Sequence, residues 1–253
     1  MHLGTAATLW NTMYLGIDLA ANPEQTGMAV LRDIDGVLMV TTTAVGVSDT
    51  HIVDAVHQAD GTGVDVPIGW PIRFVELLED HAAHRLPPPE STDVDWRRSV
   101  ALRATDIAVH RRTGIAPMSV AANLIAYPAF RWAGIEATLR NEGIDTSRDG
   151  SGAVAEVYPA AALYRWGLPH RGYKGAQQTA VRHHMVEAIA TVFPEFDWQG
   201  FEASAIADDN VLDAVLAALV AYQIAQGNCE GSDEDERKVA CVEGWIWLPK
   251  PSN

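Results

Sequence analysis

The chain has 253 residues, with 33 acids against 18 lysines and arginines and a formal net charge of −15. That length buries a sizeable core in one large domain or two small ones. The charge argues against a basic DNA reader or a nucleic-acid coat, but not against an enzyme that meets phosphates through metal ions.

Met1 to Thr12 lacks the basic start and continuous apolar core of a signal peptide and is expected to be a flexible extension, with one domain over residues 13–253. Residues 14–20, 26–32 and 36–43 read as three consecutive strands, and Asp35-Gly36 is a hairpin signal between the second and third. Ser48 can cap a helix running to His57, with Ile52, Val53 and Val56 as its apolar positions. Gly61-Thr62-Gly63 leads into a short buried strand that carries Asp65 and ends at Pro67, which removes a ladder donor.

Residues 71–150 read as a helical insertion. Arg73 to His84 is amphipathic, and Leu86-Pro87-Pro88-Pro89 is an extended break. Thr92 or Asp93 caps a helix to about Arg112, and Met118 to Asn141 is mostly helical with a kink at Pro128. After the loop Thr146 to Gly152 comes Ala153 to Pro159, which repeats the earlier pattern of apolar strand, embedded acid (Glu156), then proline. Residues 160–166 and 176–193 read as helices, followed by a long apolar helix from about Asp208 to Gln226 with Gly227 as its stop. Glu243 to Pro249 reads as a final strand. No apolar run reaches the roughly 18 residues of a membrane span. Cys229 and Cys241 have no CxxC spacing, so zinc is not expected and a reduced, cytoplasmic protein is.

Four acids stand in apolar settings: Asp18, Asp65 and Glu156 in strands, Asp213 in the long helix. A core carboxylate is costly unless something pairs with it, and four together repel strongly. Read singly, each is equally an ordinary turn, cap or surface acid. If they converge, divalent metal is the natural compensation, and hard oxygens without His or Cys suit Mg²⁺ or Mn²⁺.

The ordered set Gly16-Ile17-Asp18-Leu19-Ala20, Val64-Asp65-Val66-Pro67-Ile68-Gly69, Arg103-Ala104-Thr105-Asp106, Glu156-Val157-Tyr158-Pro159, Tyr173-Lys174, Asp209 to Ala221 and Glu243 to Trp247 resembles a bacterial and archaeal family of unknown function described as predicted RNase H-like nucleases. The resemblance implies an α/β fold: a mixed sheet, three-strand antiparallel meander plus parallel strands, flanked by helices. It implies metal-dependent phosphodiester hydrolysis, with nucleic acid as substrate. Asp18, Asp65 and Asp213 would be the metal ligands and Glu156 a further catalytic acid at the rim. Related nucleases often carry a second acid three residues before the helix aspartate, a position held here by Asn210.

Arg103 and Asp106 share a helix face, either as an intrahelical ion pair or with Arg103 as a phosphate clamp. Lys174 has the same two readings. Trp96, Trp132 and Trp198 suit packing better than base stacking. The insertion, with Arg85, Arg97, Arg98, Arg103, Arg111, Arg112 and Arg131, is expected to stand over the carboxylates as a basic surface. Two rival readings are a sugar-kinase or actin-like phosphotransferase, with Asp149-Gly150-Ser151-Gly152 as its only candidate nucleotide loop, and a non-catalytic scaffold of the same fold.

Overall fold

A computed structural model describes residues 11–251. Strands β1 (Asn11–Asp18), β2 (Gly27–Ile34) and β3 (Val37–Val45) form an antiparallel meander. Asp35 and Gly36 both take positive φ (55° and 83°), as a two-residue hairpin requires. Helix α1 (Asp49–Gln58) begins at Ser48, whose hydroxyl accepts from the His51 N–H. β4 (Gly61–Asp65) then lies parallel to β1. Helices α2 (Ile72–Ala82), α3 (Val94–Ala101), α4 (Ala104–Thr113) and α5 (Ala126–Asn141) fill the insertion before β5 (Val154–Val157). The rest comprises α6 (Pro159–Arg165), α7 (Thr179–Val192), β6 (Phe196–Asp197), α8 (Glu202–Ala207), α9 (Asp209–Ala225), β7 (Cys229–Glu230), α10 (Arg237–Glu243) and β8 (Ile246–Pro249). The sheet order is β6-β3-β2-β1-β4-β5-β8-β7, with β1, β4, β5 and β8 mutually parallel.

The structure corrects several boundaries. β1 starts at Asn11, inside the stretch expected to be an extension, while the rest of that stretch lies outside the described residues. The helix expected from residue 92 or 93 to 112 is two helices, because Leu102 and Arg103 adopt extended backbone and Arg103 becomes the N-cap of α4. Pro128 makes no mid-helix kink. It sits in the first turn of α5, where its missing N–H costs nothing. The short elements β6, α8, β7 and α10 carry too few residues for a period to show.

The core is organised by α9, which is apolar almost all round and accordingly buried. It lies across β1 and β4 at backbone distance. A Cβ on Gly16 would overlap the Ala214 carbonyl oxygen, and one on Gly63 would overlap that of Ala217. These two glycines are what admit the helix. The opposite face of the sheet packs Leu15, Ile17 and Val64 against Ile52, Val56, Trp132 and Ile135 of α1 and α5. Trp198, like Trp132, is buried in the core rather than exposed for stacking. Among the described residues, no helix is long and apolar enough to cross a membrane.

Candidate metal centre

Side chains alternate faces along a strand, so Asp18 shares its face with Gly16 and Asp65 shares its face with Gly63. That is the face α9 covers. The parallel register then sets Asp18 directly beside Asp65 at the C-terminal ends of β1 and β4. Asp213, one turn into α9, completes the group: one oxygen from each of the three carboxylates lies within 4.8 Å of the others. The structure thus brings together the three acids expected to bind metal.

Tyr173 Oη donates to Asp213 Oδ1 at 2.9 Å. Asp213 Oδ2 is wholly buried and accepts no hydrogen bond of good direction, although the Lys174 ammonium stands 2.6 Å away. Burial, reinforced by repulsion from Asp213 and Asp65, pushes the Asp18 carboxyl well above the usual carboxylate range. Burial likewise lifts Asp65 to about 7, with Lys174 opposing and Asp213 adding to the shift. Asp213 is raised by burial despite Lys174 and Tyr173. Burial works against the Lys174 ammonium, but Asp213, Asp65 and Asp18 outweigh it and raise its pKa. The metal-free cluster therefore holds more negative charge than its environment tolerates.

Asp18 and Asp65 open onto a cavity of about 150 Å³, lined also by Lys174, Tyr158, Arg103 and Glu156. Pro117, Met118 and Ile125 of the insertion also line it, so the insertion does reach the site.

Glu156 does not join the triad. Its register partner on β4 is Val64, not Asp65, so its side chain leaves the other face of the sheet. It lines the cavity beside the triad, 2 % exposed, and grips Arg103 through two bonds of 2.7 and 2.8 Å. It also accepts the Ile68 N–H from the segment after Asp65. Arg103 spends all five N–H donors internally, on Asp106, Glu156 and the Glu243 carbonyl. No donor is left for a phosphate clamp.

Other insertion arginines are similarly occupied. Arg131 binds Asp49, the Ala20 and Val47 carbonyls and Thr26, while Arg111 and Arg112 face Glu236. The Asp149 to Gly152 loop has a packing explanation: Gly150 lies under Trp247, whose Nε1 donates to the Asp149 carbonyl.

Two residues that shape the site escape the sequence reading. Glu243 accepts the Ile72 and Ala104 N–H groups and so joins the start of α2 to the start of α4; it opens the Glu243 to Trp247 stretch, but nothing there is a signal of this role. Arg182, wholly buried, donates to the carbonyls of Tyr173, Gly175, Ile206 and Ala207. It has one: it continues the buried stripe of Met185, Val186 and Ile189 on α7, where a charged residue is out of place.

Neither a curated protein nor a solved structure matches the chain. Residues 16–237 match a family described as "Protein of unknown function (DUF429)", a span that runs from the glycine before Asp18 past the end of α9 and so takes in the whole triad. With nearly its full length inside that match, the chain belongs to the DUF429 family.

Proposed function

We propose that this protein is a metal-dependent nuclease on an RNase H-like fold, hydrolysing phosphodiester bonds in nucleic acid. The observation that carries the reading is the convergence of the Asp18, Asp65 and Asp213 oxygens within 4.8 Å. The donor set fits a hard divalent cation: three carboxylates, no His or Cys, and one buried oxygen, Asp213 Oδ2, without a hydrogen bond of good direction. Mg²⁺ or Mn²⁺ is the matching choice. The meander followed by parallel strands, with acids at adjacent strand ends and a helix crossing them, supports the fold assignment.

Bound there, a divalent ion supplies Lewis-acid polarisation of a phosphoryl oxygen and a nucleophilic water at neutral pH. The chain's own residues do the rest. Tyr173 fixes the Asp213 carboxylate through its hydroxyl, and Lys174 offsets part of the charge. The Arg103–Glu156 pair holds the segment after Asp65 through the Ile68 N–H, so these two act as positioning residues. Pro117, Met118 and Ile125 narrow access to water. A reducing cytoplasm suits the two free cysteines.

The test is cleavage of single- and double-stranded DNA and RNA oligonucleotides with Mg²⁺ or Mn²⁺. Asp18→Asn abolishes cleavage while the variant stays folded; unchanged cleavage by Asp18→Asn would refute the assignment. Reversing Arg97, Arg98, Arg111 and Arg112 together weakens nucleic-acid binding and flattens its salt dependence if the insertion is the substrate platform.

A further inference from the structure

We infer that the triad takes one divalent cation, and that the Lys174 ammonium stands in place of a second. The inference rests on the metal-centre reading above. Three carboxylates and one ammonium sum to −2, the charge one divalent ion cancels. Two such ions would leave the pocket at +2 beside low-dielectric walls, where uncompensated charge is least tolerated.

Among the described residues, the acids nearest the triad already have cationic or backbone partners. Glu156 leaves the other face of the sheet and is committed to Arg103. Asp209 accepts the Gly175 N–H at 3.1 Å and faces Arg182. Asn210, where related nucleases carry an acid, is neutral, and its amide donates to Asp208.

The ammonium is not a stray surface charge. The Lys174 side chain is 57 % exposed along its length, yet its Nζ ends 2.6 Å from the buried Asp213 Oδ2. Its backbone is held on both sides. Arg182 Nη1 donates to the Tyr173 carbonyl at 2.7 Å and to the Gly175 carbonyl at 2.8 Å, from the residues on either side of Lys174. The same guanidinium reaches Ile206 and Ala207, just before α9 begins. Gly172 and Gly175, at φ 74° and 99°, give this segment the left-handed backbone that brings Tyr173 and Lys174 together onto Asp213. A fixed cation is thereby built into the carboxylate group.

The experiment is Mn²⁺ titration of the full-length, EDTA-stripped protein, read by calorimetry and by the paramagnetic resonance of free Mn²⁺. Wild type binds one Mn²⁺ per chain. Lys174→Ala binds Mn²⁺ at least about tenfold more tightly, since a unit charge a few ångströms away has been removed, and Lys174→Arg returns close to wild type. Two ions per wild-type chain, or unchanged or weaker affinity in Lys174→Ala, would overturn the inference while leaving the metal centre standing. So would uptake by Lys174→Ala alone, since the ammonium would then fill the only cation position. No uptake by either protein would overturn the metal-centre reading itself.

Discussion

Arg103 with Glu156 and Asp18 with Asp65 line one cavity, and the clusters they belong to are built to opposite specifications. In the first, one guanidinium meets Asp106 and Glu156, every N–H is used, and charge and hydrogen bonding close on themselves. In the second, three carboxylates share one ammonium and Asp213 Oδ2 lacks a well-directed donor. Both are ionic groups taken out of water, and for both the desolvation cost is large. The difference teaches how to tell support from site. A buried cluster whose partners are complete serves position, and one left with excess charge is waiting for a ligand.

The largest effect that would break the comparison is catalytic. Asp213→Asn, which keeps the shape of the side chain, should lower metal-dependent cleavage by about 10³-fold or more, measured as kcat on a preferred oligonucleotide. Next is stability. Arg103→Ala leaves Glu156 and Asp106 buried without their cation and should cost about 3–5 kcal/mol by urea denaturation. Combining it with Glu156→Gln and Asp106→Asn should recover part of that loss. A stable Arg103→Ala that only binds nucleic acid more weakly would restore the clamp reading.

The third effect concerns pH. The Asp18 and Asp65 carboxyls titrate higher in the folded than in the unfolded chain, so the folded state binds more protons in between. Metal-free stability therefore falls as pH rises from about 4 through about 7. Asp18→Asn removes one such group and should stabilise the metal-free protein at pH 8, with little gain at pH 4. Thermal unfolding at the two pH values checks this, and added Mn²⁺ should raise the wild-type midpoint more at pH 8. The smallest effect is on the surface. Glu236→Gln, which frees Arg111 and Arg112, should change stability by no more than about 1 kcal/mol.

Much of this was legible in the residues. The strands, the Asp35-Gly36 hairpin, the Ser48 cap and the long apolar helix each carry a local signal that the structure repeats. So did three of the four acids. The fourth, Glu156, lines the same cavity outside the triad, although it follows the same local pattern as Asp65, an acid in a short apolar strand before proline. What separates them is register, a non-local property. One sign was present: Asp18 and Asp65 each follow a glycine by two residues, whereas Glu156 follows Val154, and only glycine admits a helix at that distance. The Arg103 and Glu243 contacts join residues far apart in sequence, and no spacing rule reaches them.

The position of Asp213 on the helix that closes the core has a consequence for assembly. Asp18 and Asp65 become neighbours as soon as β1 and β4 pair, but the third carboxylate arrives only when α9, about 140 residues after β4, settles over Gly16 and Gly63. A nascent or truncated chain ending before α9 lacks both its principal core helix and its third carboxylate. On the metal-centre reading, cation affinity would be a long-range closure signal, acquired in the same event as the core and lost with it.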